Sequence, residues 1–124
     1  MIYGIGIDIV RIARVEQAMA KWGERFLARV YTEGEIAYCN ERKNPYRSLA
    51  ARFAAKEAFI KAIGGAAPLS LTDIEVANSE KGKPFIRLEG KLAESVKKKG
   101  ITRMHLSLSH EQDYAVACVV LESL

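Results

Sequence analysis

No run in this 124-residue chain approaches the roughly 20 consecutive apolar positions that a membrane span needs. There are only two cysteines, Cys39 and Cys118, and they lack metal-ligand spacing. They read as reduced thiols of a cytoplasmic protein rather than as a disulfide frame. The opening stretch Met1-Ile-Tyr-Gly-Ile-Gly-Ile-Asp8 has no basic segment and carries an acid within its apolar run, so it does not read as a signal peptide. Aromatic residues are scarce, at 8%. With no aromatic strand for bases to stack on and no Lys/Arg-rich tail, an RNA-binding domain has little to build from. A strong charge of one sign is also missing: 19 Lys and Arg stand against 15 Asp and Glu. That mild basic excess suits an acidic protein, a phosphate-bearing ligand or RNA without choosing among them. Internal repeats and low-complexity stretches are absent. The length fits one domain, 1–124, with a real core.

The most informative stretch is Leu49-Ala-Ala-Arg-Phe-Ala-Ala-Lys-Glu-Ala-Phe-Ile-Lys-Ala-Ile63. It reads as a helix stopped by Gly64-Gly65. At about 100° per residue, Leu49, Phe53 and Ile60 share one stripe, with Glu57 and Lys61 on one flank and Arg52 and Lys56 on the other. The rest is mostly alanine, flat enough for a neighbour to lie close. Little of such a helix faces only water, so its charges are expected half buried and in need of a partner or ligand. Glu57 and Lys61 also suit an ordinary i,i+4 surface pair.

Residues 2–10 read as a strand with Tyr3, Ile5, Ile7 and Ile9 on one face and Gly4, Gly6 and Asp8 on the other. The glycines leave that second face bare, open to close approach by the alanine-rich helix or a ligand. Asp8 also suits a cap for the next helix. That helix carries Ile12, Val15, Met19 and Trp22 at helical spacing until Gly23 interrupts it, with Arg11, Arg14, Lys21 and Arg25 off the apolar stripe. Phe26, Leu27 and Val30 continue the core. Thr32-Glu-Gly-Glu35 matches a capping box for a short helix, and Asn44-Pro45 opens the central one. Beyond Pro68, Ile74–Asn78 and Phe85–Leu88 alternate as strands around the turn Ser79-Glu-Lys-Gly-Lys-Pro84. Leu92, Ala93 and Val96 line a short helix ending in Lys97-Lys-Lys-Gly100. Met104, Leu106 and Leu108 mark a further strand, and Tyr114–Leu121 reads as a buried one.

Two acids, Asp8 on a bared strand and Glu57 on an alanine-rich helix, are what Mg²⁺ takes from a protein when waters and substrate phosphates supply its other ligands. Lys61, one turn beyond Glu57, is placed to serve the same phosphate as a charge or proton carrier. Lys43, Arg47, Arg52, Lys83 and His110 supply further phosphate-binding cations. These are the parts of metal-assisted phosphoryl transfer.

At these residues the sequence resembles the holo-[acyl-carrier-protein] synthases, the small bacterial type of 4′-phosphopantetheinyl transferase. The resemblance rests on Gly4-Ile-Gly-Ile-Asp8-Ile-Val, on Arg52-Phe-Ala-Ala-Lys-Glu57-Ala-Phe-x-Lys61-Ala, and on Leu106-Ser-Leu-Ser-His110 with Tyr114-Ala-x-Ala. Gly82-Lys83-Pro84 also fits, and the motifs run through nearly the whole chain.

The resemblance implies an α+β fold, with a long central helix packed on a small antiparallel sheet. It implies transfer of the phosphopantetheine arm of coenzyme A to a serine of acyl carrier protein, releasing adenosine 3′,5′-bisphosphate, as in fatty acid biosynthesis. Asp8 and Glu57 would hold Mg²⁺ against the pyrophosphate, and Lys61 would assist at the reacting phosphate. Lys43, Arg47, Arg52, His110 and the Gly82-Lys83-Pro84 turn would hold the nucleotide half. Enzymes of this type are homotrimers with sites at subunit boundaries. The carrier is acidic, which makes Arg14, Lys21 and Arg25 a docking face by charge complementarity. The competing readings are a non-catalytic basic RNA-binding domain and an oligomerisation module in which Glu57 and Lys61 are interface pairs.

Overall fold

The computed structural model describes residues 1–65 and 70–124, so the reading of Pro68 as a break lies outside the described residues. The chain opens with strand β1 (Ile2–Arg11) and turns directly into helix α1 (Ile12–Trp22). Gly23, at φ 56°, breaks that helix, and α2 (Glu24–Val30) departs at once. Only glycine takes that left-handed backbone without strain. Helix α3 (Glu33–Asn40) starts at the expected capping box, with the Thr32 hydroxyl accepting from the Glu35 amide and the Glu35 carboxylate from the Thr32 amide. Helix α4 (Pro45–Ala62) begins at Asn44-Pro45, as expected, one turn before its alanine-rich stretch. Its first turn comes from Asn44, whose side chain caps it, and from Pro45 in the first helical position. A single 3₁₀ turn, Leu71–Asp73, leads to β2 (Ile74–Asn78) and β3 (Pro84–Leu88), followed by α5 (Gly90–Lys98), β4 (Ile101–His110) and β5 (Tyr114–Ser123).

The fold is α+β. Strands β1, β5 and β4 form an antiparallel sheet in that order, and β2 and β3 pair antiparallel beside it. Helix α4 lies across the inner face of the three-stranded sheet, as the glycine pattern of β1 suggests. A Cβ added to Gly4 would sit 1.9 Å from the Ala62 carbonyl oxygen, and one on Gly6 1.8 Å from that of Ala58. Helix backbone therefore rests directly on strand backbone, a packing open only to glycine. Ala54, Ala55, Ala58 and Ala62 are buried, as are Ala115, Ala117, Val119 and Leu121 on the inner face of β5.

Four sequence expectations about faces and burial change. On α4 the alanine side is the deepest, while Phe53 and Ile60 are only partly buried. Small side chains win that place because the sheet approaches so closely. Arg52 and Lys56 are not half buried but fully enclosed, at 3% and 0% exposure. On α1 the apolar stripe runs out, with Ile12 and Val15 buried but Trp22 52% exposed. Strand β5 alternates between buried and half-buried positions rather than being buried throughout. Its outward side chains, Val116, Cys118 and Val120, pair in register with Ile9, Ile7 and Ile5 of β1, which are 62%, 61% and 62% exposed. The outer face of β1 and β5 is thus a bare apolar surface, bordered on β4 by exposed His105, Ser107 and Ser109.

Candidate functional site

Asp8 follows Gly6 by two residues and so shares its face of β1, at the level where Gly6 touches α4 at Ala58. The carboxylate does not cap α1, whose N-cap is Arg11 and receives no side-chain bond. Instead Lys61 Nζ donates to Asp8 Oδ1 at 2.9 Å and to the Ile7 carbonyl at 3.1 Å. Helix periodicity puts Glu57 one turn before Lys61 on the same edge of α4, beside Ala58. The Glu57 carboxylate is half buried, and no hydrogen bond or ion pair to it occurs among the described residues. The sheet and helix thus bring Asp8 and Lys61 together, with Glu57 one turn before Lys61 on α4. Among the described residues no cluster of three or more His, Cys, Asp or Glu is arranged to hold a metal ion. A divalent ion here would take two carboxylates and complete its shell with water and phosphate oxygens, which is the usual habit of Mg²⁺.

The nucleotide candidates separate into groups. Lys43 is exposed just before α4, and Arg47 lies in the first turn of that helix. The buried Nε atoms of Arg47 and Arg52 find no partner among the described residues. Arg52 is no free surface cation: its guanidinium lies 4.0 Å from the Tyr38 ring centroid and donates to Asn78 Oδ1 at 2.5 Å. Asn78 Nδ2 in turn donates to the Gly82 carbonyl at 3.1 Å, so Arg52 props up the Gly82-Lys83-Pro84 turn from beneath. Beside that turn is a hollow of about 240 Å³ lined by Ser79, Lys83, Pro84, Phe85, Met104, His105 and Leu106. His110 does not line it. It is exposed at the far end of β4, about 16 Å along the strand from His105. The register puts it instead near the Asp8 end of the sheet.

On α1 and α2, exposed Arg14 borders a small hollow lined by Val10, Val15, Ala18, Phe26 and Phe53. Arg25 and Arg29 border a wider groove of about 540 Å³ floored by Phe26 and Val30 and walled by Trp22, over whose ring Lys21 lies at 5.0 Å. The basic residues expected to dock a partner therefore surround apolar recesses, and sequence periodicity alone did not signal these.

Sequence reasoning singled out neither His105 nor a buried ion pair. His105 is bonded to Glu122 across the sheet, and that bond together with the charge of His105 holds the Glu122 carboxyl below its ordinary pKa. Glu35, read only as part of a capping box, is 1% exposed and accepts from Lys56 Nζ at 2.6 Å. Burial pulls the Lys56 ammonium below its ordinary pKa, against the opposing pull of Glu35. No local pattern reveals that pair, because its members lie 21 residues apart. Burial also pushes the Cys39 thiol up to about 11, so it is an inert core residue.

Residues 4–119 match the model of the 4′-phosphopantetheinyl transferase superfamily. A holo-[acyl-carrier-protein] synthase of Halothermothrix orenii is 52% identical, over 98% of each chain. Among solved structures, the holo-[acyl-carrier-protein] synthase of Neisseria meningitidis superposes with a TM-score of 0.93 at 38% identity, over 99% of this chain and all of that one. The Helicobacter pylori enzyme, solved in complex with coenzyme A, gives 0.84 at 36% identity, over 95% of this chain and 99% of that one. The alternatives of an RNA-binding or purely oligomerising domain find no support in these relatives.

Proposed function

This chain belongs to the 4′-phosphopantetheinyl transferase superfamily, and from that membership we propose that it moves the phosphopantetheine arm of coenzyme A to a serine of apo acyl carrier protein. The observation that carries the reading is the anchoring of Asp8 by Lys61 on the edge of α4 that also bears Glu57. Asp8 and Glu57 would hold Mg²⁺. When bound, that ion neutralises charge on the diphosphate as the leaving group departs. Lys61 is 54% exposed at its side chain and has a flexible stem, so it can shift from Asp8 to a substrate phosphate or ease proton loss from the serine through water. Covalent chemistry by the protein is not required. Positioning and charge are what phosphoryl transfer demands.

Lys43, Arg47, Lys83, His110 and the Gly82 turn hold the nucleotide half, with Arg52 bracing the turn. In one chain His110 stands at the end of β4 while Lys83 lines the hollow beside the middle of that strand, at Met104–Leu106, and this separation supports a homotrimer whose sites form between subunits. The bare row of Ile5, Ile7 and Ile9 supports the same reading, since three exposed isoleucines forgo about 2 kcal/mol each of burial. Arg14, Lys21 and Arg25, set around apolar recesses, suit an acidic carrier with a few apolar anchors. The reaction is assigned to the cytoplasm and to fatty acid biosynthesis. Intact-mass analysis of an apo acyl carrier protein incubated with the chain, coenzyme A and Mg²⁺ tests it. A gain of one phosphopantetheine is expected, and an unchanged carrier mass would sink the assignment.

A further inference from the structure

Among the described residues one charged pair is sealed from water, with both side chains fully buried. Lys56 Nζ spends all three of its protons inside the chain, on Glu35 Oε1 at 2.6 Å, the Val30 carbonyl at 2.5 Å and the Leu71 carbonyl at 2.9 Å. Glu35 is equally engaged: Oε1 also accepts from the Thr32 amide at 2.9 Å, and Oε2 accepts from the Val76 amide at 2.8 Å. The Thr32 hydroxyl, which accepts from the Glu35 amide, also donates to Glu75 on β2. Two side chains thereby join the end of α2, the start of α3, the middle of α4, the 3₁₀ turn and strand β2.

A buried ion pair is weak evidence for stability, because desolvation offsets its attraction and apolar replacements of similar size often serve as well. Its geometry here points to position instead. Val76 is the central residue of β2, and two residues later Asn78 carries the hydrogen bonds from Arg52 and to Gly82. Arg52 and Lys56 are one helical turn apart on the same side of α4. The hairpin is therefore fastened to α4 at two points, at Val76 through Lys56 and Glu35 and at its turn through Arg52 and Asn78.

We propose that Lys56 and Glu35 are positioning residues, a buried clamp that fixes the β2–β3 hairpin on α4 and so sets where the Gly82-Lys83-Pro84 turn meets the nucleotide. The inference rests on the transferase reading only for what the turn binds. Lys56 never reaches substrate. It acts through Glu35, β2 and the turn.

Lys56→Met alone leaves the Glu35 carboxylate buried and unpaired, which can unfold the chain. The test therefore uses Lys56→Met/Glu35→Gln, in which both side chains are neutral and position 35 keeps an acceptor. With this variant KM for coenzyme A is expected to rise at least tenfold, with kcat and the KM for acyl carrier protein changing less than threefold. Amide exchange at Val76 and over residues 79–83 should quicken at least tenfold while the α4 amides stay as slow as before. A variant whose kcat falls with both KM values unchanged, or whose turn exchanges at the parent rate, overturns the clamp. Should the double variant not fold, exchange in the unaltered chain decides. Thr32, Glu35 and Val76 amides, from separate elements, should open together with one protection factor, and values spread more than tenfold overturn the proposal. An unaltered chain that transfers nothing from coenzyme A defeats the transferase reading alone, since the exchange arms judge the clamp without catalysis.

Discussion

A single carboxylate on each of two elements carries the proposed chemistry, and each can be tested without disturbing the core. Asp8→Asn and Glu57→Gln preserve shape but remove a negative charge, so turnover is expected to fall by several orders of magnitude while the circular dichroism spectrum and unfolding midpoint hardly move. Parental activity in either variant at ordinary Mg²⁺ would remove the metal assignment. Lys61→Ala should lower kcat more than it weakens coenzyme A binding, and the opposite split in steady-state kinetics would make it a nucleotide anchor. Motif and spacing name Asp8, Glu57 and Lys61 as candidates. The engagement of Lys61 with Asp8 and the Ile7 carbonyl was not legible, since i,i+4 spacing pointed to Glu57 as its partner. Burial of Arg52 and Lys56 escaped for a related reason: helix periodicity says which side a residue is on but not what covers that side.

Between elements, the decisive contact is β1 against α4. A methyl group on Gly6 would meet the Ala58 carbonyl at 1.8 Å, backbone against backbone, so relief requires the helix to move off the sheet. Gly6→Ala is accordingly expected to destabilise the chain by about 3 kcal/mol or more, read from chemical denaturation. Stability equal to the parent would mean that the strand and helix can part without cost. Both glycines and the alanine face were visible in sequence, and so was their apposition. At the docking surface, Arg14→Glu should raise the KM for acyl carrier protein by tenfold or more while coenzyme A binding persists, with the parent's KM rising in high salt. An unaltered carrier KM in both conditions places docking elsewhere. The apolar recesses beside Arg14 and Arg25 come from the α1–α2 break at Gly23, and their shape depends on tertiary contacts between residues far apart in the chain.

On the scale of the molecule, the sheet has one face covered by α4 and one face bare. The alternation in β1 announced two faces and marked the glycine face for the helix, but it did not show that the far more apolar Ile5, Ile7 and Ile9 would be left exposed. Steric room decided it: only the glycine face admits the helix. Ile7→Asp, in the bare row of β1, is expected to leave the subunit folded, convert the proposed trimer to monomers in sedimentation analysis and abolish transfer. An active monomer would show that each chain holds a whole site. In the proposed trimer the bare face also ties endurance to abundance. A chain that completes its apolar cover only by meeting copies of itself melts at a higher temperature in a concentrated sample than in a dilute one, because mass action favours the assembled form.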